Sequence, residues 1–349
     1  MISINQIISH LESVAPSAYQ ESYDNAGLLT GNDNDEAKGA VICLDATEDV
    51  IQEAIDTGCN LVISHHPIIF KGLKKLTGSN YVERTVIKAI RHHVAIYAIH
   101  TNLDNVYHQG VNAKIAQRLG LKNTRILAPK KEMKKLSVIV APGDANTLRQ
   151  ALFAVGAGNV STTSQQSFAT LGVGTANMTS AAQLKLEIAF PCATQHTILR
   201  ILENTVPGAP VEITSLENAS LEIGSGLIGE LPKPINESDF LKNLKKVMHT
   251  GCVRHTRPLN KPVSKVALCG GSGSFLLSQA IKHGADAFVT GDYKYHDFFD
   301  AEGSILIADV GHYESEQFTM ELLQEIIAEK FPTFATRLTK VNTNPVLYL

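Results

Sequence analysis

No Cys-x-x-Cys pair occurs in this 349-residue chain, whose five cysteines are Cys43, Cys59, Cys192, Cys252 and Cys269. An odd, scattered set does not make a disulfide framework; it fits a reducing compartment, with the thiols in the core. Neither sign of charge dominates. With 31 Lys and Arg against 34 Asp and Glu, the net charge is −3 and the pI is near 6.5. No global basic field draws in phosphate backbones, so nucleic acid is not an expected partner. No apolar run reaches the ~18 to 20 residues of a membrane helix. The opening segment MISINQIISHLESVAP lacks the basic head and small-residue cleavage site of a signal peptide, so a soluble, cytoplasmic protein is expected.

What is present is an ordinary globular balance, 44% hydrophobic and 19% charged. The length favours two or three compact units. Ile4, Ile7, Ile8 and Leu11 fall at helical spacing. From Gly39 the chain reads strand (AVICLDAT), helix (EDVIQEAIDTG), strand (NLVISHH), helix (YVERTVIKAIRHH) and strand (VAIYAIHTNLD). The strands are apolar runs without alternation, as expected when helices cover both faces of a parallel sheet. The same grammar returns in KVALCGG, SFLLSQAIKHG, ADAFVTGD, YHDFFDA and SILIADVG, followed by a final helix from about Tyr313 to Lys330. The two stretches look like a weak internal repeat, for Val41 to Gly58 and Val266 to Gly284 differ in span by one residue.

Different material lies between them. The charged run Lys130 to Lys135 reads as a solvated hinge. It leads into strand KLSVIVAP, helix ANTLRQALFAVG, a Gly/Ser/Thr-rich stretch, strand AAQLKLEIAFP, helix QHTILRILENTVP and VEITSLE. This predicts a small α+β domain inserted in the main fold. The expected fold class is therefore α/β, with two similar βαβ-type lobes forming one core. The expected divisions are 1–126 for the first lobe, 127–225 for the insert and 226–349 for the second lobe.

Three clusters carry chemistry. Ser64-His65-His66-Pro67 ends an apolar strand. Neighbouring strand side chains point to opposite faces, so these imidazoles can serve two ions, or one after a backbone turn, or simply be hydrogen-bonded histidines. His100-Thr101-Asn102-Leu103-Asp104 follows another predicted strand. Asp104 has two oxygens able to bridge cations or to cap a helix, and His100 can brace a ligand or move a proton. His312 and Glu316 are four residues apart at a strand-to-helix junction and share one helix face, with Glu314 on another. Lesser candidates are the loop Gly270 to Ser274, a tight turn or a phosphate cradle without the P-loop lysine; Asp292 and His296, beside a cleft or at a solvated helix start; and Tyr23, Asp24 and Asn25, which form a turn or close over the site.

SHHPIIF, HTNLDN followed by GVN, and GHYESE, in this order and with ESYDNAGL before them, resemble the NIF-three-like family, also catalogued as GTP cyclohydrolase I type 2 homologues. VALCGGSGSFL and GADAFVTGD strengthen the likeness. The resemblance implies a metal cleft holding two divalent ions on His65, His66, Asp104, His312 and Glu316, and a ring-shaped homohexamer. It is also what suggests that Tyr23, Asp24 and Asn25 close over the site. It also implies a PII-like or CutA-like insert, with VGAGNVSTTSQQSFATLGVGT similar to its glycine-rich signature. The chain departs from the family at NTVPGAPVEI and at GSGLIGEL, which lacks the usual arginine. Imidazole and carboxylate without thiolate suit zinc, iron or manganese. Five protein ligands underfill two ions and leave room for water, so the expectation is a metal-dependent hydrolase of a nucleotide or phosphoester, and the resemblance adds a GTP cyclohydrolase-like activity to it. The alternative is a nonenzymatic metal carrier or a regulatory scaffold whose insert senses a small molecule.

Overall fold

The computed structural model describes residues 2–159, 163–176 and 179–349. Val160, Ser161 and Thr162 of the glycine-rich signature lie outside the described residues. The chain divides into two compact units, one of residues 1–128 with 224–349 and one of residues 129–223. It is a mixed α/β protein, with three sheets among the described residues. Among the described residues no helix is long and apolar enough to cross a membrane.

The larger unit holds two sheets. In the first, Ala40–Asp45, Leu61–His66 and Ala95–Ala98 run parallel in that spatial order, with Gly27–Thr30 antiparallel on the outer edge of Ala95–Ala98. In the second, Pro262–Ser272, Ala287–Gly291 and Leu306–Asp309 repeat this arrangement, with Arg254–His255 antiparallel on the last strand. The first strand of each sheet has a further neighbour: Thr336–Leu338 lies parallel to Ala40–Asp45, and Gly224–Asn236 antiparallel to Pro262–Ser272.

Both sheets are covered on both faces, which explains why their central strands show no alternation. One face of each contributes to a shared core. There Ile42, Ile63 and Tyr97 meet Leu268, Val289 and Leu306 through the helices Ile4–Val14 and Thr319–Lys330. Ser3 caps the first helix in a capping box with Gln6, and Ile4, Ile7, Ile8 and Leu11 form its buried face. Each such fully buried aliphatic side chain contributes roughly 1.5 to 3 kcal/mol. On the other face of the first sheet, Val41, Cys43 and Val62 pack with Val50, Ile51, Val86 and Ala89 from two crossover helices, Glu48–Asp56 and Tyr81–Arg91. Every parallel strand therefore points its carboxyl end toward one edge of its sheet, where open α/β sheets bind ligands.

The smaller unit is a four-stranded antiparallel sheet ordered Phe168–Ala176, Thr179–Pro191, Met133–Val140, Val211–Ser215, with helices Ala145–Ala154 and Gln195–Thr205. Its β-α-β-β-α-β order is that of a ferredoxin-like unit. The strand Phe168–Ala176 lies within what reads as a Gly/Ser/Thr-rich stretch, because Gly172 and Gly174 depress its strand signal. Only the second half of the lysine run departs from the expected hinge, for Lys130, Lys131 and Glu132 have no regular structure and lie just past the division between the units. Lys134 and Lys135 lie inside a strand, Lys134 donating to Gln195 Oε1 at 2.6 Å and Lys135 pairing with Glu187 at 3.2 Å.

Two boundaries in the larger unit differ from expectation. The strand expected through Asp104 stops at Ala98, and Thr101–Asp104 forms a single helical turn. Asn102 Oδ1 accepts the His100 N–H at 3.0 Å, and this local bond competes with a strand ladder. The final helix is broken at Gln317 and Phe318 into His312–Glu316 and Thr319–Lys330. Gln317 Nε2 donates to the carbonyls of Glu314 and Met248, while Phe318 is buried in the shared core.

Candidate metal centre

The strand Leu61–His66 ends in the paired histidines, whose ring centroids lie 4.9 Å apart, so the two do not diverge to opposite faces as regular strand alternation would have them. His65 is fully buried. Its Nδ1 lies 2.8 Å from the Ile99 carbonyl, which can only accept, so Nδ1 carries the proton and Nε2 keeps a lone pair. That Nε2 stands 3.6 Å from Asp104 Oδ1 and 3.7 Å from Glu316 Oε1. Both His65 Nε2 and Asp104 Oδ1 are buried without a hydrogen-bond partner. Two opposed orphans of this kind cost free energy unless something positive joins them.

His66 has its own partners. Its Nδ1 meets Asp45 Oδ1 at 2.8 Å and its Nε2 meets Glu316 Oε2 at 2.9 Å. His312 Nε2 reaches the same Glu316 oxygen at 3.1 Å and lies 3.2 Å from His66 Nε2, while its Nδ1 pairs with Asp292 Oδ2 at 2.7 Å. The donor atoms thus gather as His65, Asp104 and Glu316, and as His66, His312 and Glu316. The two groups share Glu316, one oxygen in each; Asp104 belongs to one group alone.

Glu316 is 3% exposed and needs room that a side chain would fill. Gly271 supplies it, with φ of +61° and a position where an added Cβ would collide with Glu316 Oε1. The glycine run is not an anion cradle: Gly270 N–H donates to Asn112, Gly271 N–H to Ser315 and Gly273 N–H to Thr290. Asn112 also donates to the Asp104 carbonyl at 3.0 Å, so it joins the Asp104 turn to the second sheet.

His100 groups with His65 and His66. Its Nδ1 lies 2.9 Å from Asp24 Oδ1, and Asp24 also accepts from Thr101 N at 3.1 Å and Thr101 Oγ1 at 2.5 Å. Burial alone would raise the Asp24 pKa, but the hydrogen bonds from His100 and Thr101 hold it down at about 2. Asn25 donates to the Ile69 carbonyl, Tyr23 lines the cleft, and His296 is exposed away from it. Asp45 and the Ile99 carbonyl went unmarked in the sequence. A carboxylate closing the first parallel strand, as Asp45 does, is the one signal that marks it.

His66, His100, Asp104, His312 and Glu316, with Asp45 and Asp292, line a cleft of about 930 Å³ in the larger unit. Burial would lower the His66 pKa, but its bonds to Asp45 and Glu316 overcome this and lift it to about 10. Likewise burial opposes, and Glu316 and Asp292 dominate, at His312, which rises to about 11. Burial and then the Glu316 charge raise Asp104 to about 7. Burial also works against ionised Glu316, yet the His312 charge and the surrounding imidazole bonds keep it well below the carboxylate range. Among the described residues, Arg254 is the one Lys or Arg lining the cleft. It pairs with buried Asp309 and donates to the Tyr293 carbonyl at 2.8 Å.

A family model described as Duf34/NIF3 (NGG1p interacting factor 3) matches residues 2–345. A Bacillus subtilis protein named GTP cyclohydrolase 1 type 2 homolog is 32% identical, covering 99% of this chain and 98% of its own. Among solved structures, a Bacillus cereus protein related to NIF3 aligns at 32% identity and a TM-score of 0.82, over 100% of this chain and 99% of that one. Staphylococcus aureus protein SA1388 aligns at 28% identity and a TM-score of 0.81, with the same coverage. With the match running through both sheets and every cleft residue up to Pro345, the chain belongs to the Duf34/NIF3 family.

Proposed function

We propose that the cleft holds two divalent ions and that the protein is a metal-dependent hydrolase, its two similar lobes contributing one side of the centre each. The observation that carries this reading is the facing pair of buried, unpartnered atoms, His65 Nε2 and Asp104 Oδ1, beside a second donor group that shares Glu316. The residues fit the group. His65, Asp104 and Glu316 would hold one ion, and His66, His312 and Glu316 the other. Imidazole and carboxylate suit zinc, iron or manganese. When bound, such ions supply Lewis acidity and ease the ionisation of water.

The chain's own residues prepare the site. Ile99, Asp45 and Asp292 each take the Nδ1 proton of one histidine, which aims the three Nε2 atoms inward. Asp24 does the same for His100, leaving its Nε2 as a proton acceptor on the cleft wall. Arg254 offers a guanidinium to an anionic substrate, which favours a nucleotide or phosphoester. The test is a panel of nucleotides and phosphoesters offered to metal-loaded protein, stripped protein and stripped protein with metal restored. Turnover should vanish on stripping and return on restoration. Hydrolysis that survives complete stripping would refute the metal-dependent reading.

Metal binding should release protons and strengthen with pH. In the metal-free protein the pKa values of His66 and His312 lie above the unfolded value of about 6.5. Their contribution to stability is therefore complete below about 6.5 and lost as pH rises through about 10 and 11. A cation competes with those same protons. Titration calorimetry in buffers of different ionisation enthalpy should show proton release at pH 7. Uptake of metal without proton release would contradict the imidazole assignments.

A further inference from the structure

We propose that residues 342–348 strap the cleft and that Thr343 is a positioning residue, setting the orientation of His66 through Asp45. The inference rests on the metal-centre reading above. Asp45 divides its carboxylate: Oδ1 takes His66 Nδ1 at 2.8 Å, and Oδ2 accepts the Thr343 hydroxyl at 3.0 Å. A carboxylate held by one oxygen swivels in a broad torsional well, and a second bond to its other oxygen fixes the plane. Thr343 supplies that bond.

The segment is itself held at both ends. Before it, Thr339 Oγ1 and Lys340 N–H both donate to Glu53, at 2.5 and 3.0 Å, anchoring the chain on the helix Glu48–Asp56. Beyond Thr343, Asn344 Nδ2 donates to Glu314 Oε1 at 3.1 Å, so adjacent residues engage carboxylates from the first and second halves of the unit. Two side-chain turns stiffen the crossing, Asn344 N–H to Asn342 Oδ1 and Val346 N–H to Asn344 Oδ1, each at 3.0 Å. Asn344, Pro345, Val346 and Tyr348 line the cleft. Tyr348 packs against Gly251, where an added Cβ would come within 2.9 Å of its ring. Glu314, on the other face of its short helix from His312 and Glu316, thereby serves as the strap's second mooring.

The three inward histidines are braced differently: His65 by a backbone carbonyl, His312 by Asp292, and His66 alone by a carboxylate that the strap holds. Losing the Thr343 hydroxyl should therefore weaken the ion on His66 and spare the one on His65 and Asp104. Loss of such a brace typically costs 10- to 100-fold in metal affinity. The test is a stepwise chelator competition with zinc on the full chain, comparing wild type, Thr343→Val, Thr343→Ser, Asp45→Ala and Asp45→Ala with Thr343→Val, and using His312→Ala to identify the His66 step. Thr343→Val should weaken that step by roughly 10-fold or more, and Thr343→Ser should restore it. Thr343→Val should add nothing in the Asp45→Ala background.

Equal weakening of both steps, additive losses or an unchanged valine variant would each overturn the role of Thr343. Thermal melts of the metal-free variants separate this from unfolding, and Thr343→Ala replaces the valine variant if that one melts early. Wild type that takes up no zinc would remove the metal-centre reading and this proposal together. Wild type with both steps intact and a valine variant identical to it would remove the strap alone.

Discussion

Glu316→Ala is expected to lose both ions, whereas His312→Ala loses one. The asymmetry follows from the two Glu316 oxygens, one beside His66 and His312 at 2.9 and 3.1 Å and the other 3.7 Å from His65. Removing the carboxylate leaves two donors in each group, too few for a firm site. Removing His312 leaves the His65, Asp104 and Glu316 group whole. The fold should survive both changes, because these side chains face a cleft and the shared core lies elsewhere. Elemental analysis after reconstitution, paired with thermal melts, reads the result. Retention of a full complement by the Glu316→Ala protein would show that the carboxylate is not the shared ligand.

The second large effect is expected at His100. With Asp24 fully enclosed and holding its Nδ1, the imidazole presents Nε2 toward the cleft, with its ring centroid 5.3 Å from those of both His65 and His66. A group so placed can take a proton from water or give one to a leaving group. His100→Ala should slow turnover of any substrate found in the panel by about 10² to 10⁴, with metal content nearly unchanged. Asp24→Asn should act in the same direction, since an amide no longer enforces the tautomer. A His100→Ala protein that turns such a substrate over at the wild-type rate would make His100 a structural partner of Asp24. Loss of metal in parallel with activity would instead make it a ligand.

The parallel strands of both sheets were legible because they are buried on both faces and so appear as unbroken apolar runs bounded by helices. That the segments His65-His66, His100–Asp104 and His312–Glu316 could meet in one cleft was legible for a related reason, since histidines and carboxylates stood at the ends of such runs, where parallel strands deliver side chains to one edge; the choice of five residues among them came from the family likeness. What escaped was the relation between distant segments. Thr343 and Asp45 are 298 residues apart, and nothing local in either marks the bond between them. The Ile99 carbonyl has no side-chain signature at all. Gly271 looked like part of a turn, and only the packing of Glu316 against it shows why a bare backbone is required there. The turn at Thr101–Asp104 was missed because Asn102 reclaims the His100 amide, a side-chain bond that hydrophobic patterning does not register.

The central claim is that one carboxylate joins two donor groups around two cations. Counting divalent ions per chain on reconstituted, gel-filtered wild-type protein tests it most directly. About two ions per chain are predicted, released by chelator in two steps; a wild-type protein that binds none, or saturates at one with His65 and Asp104 still unengaged, would contradict it.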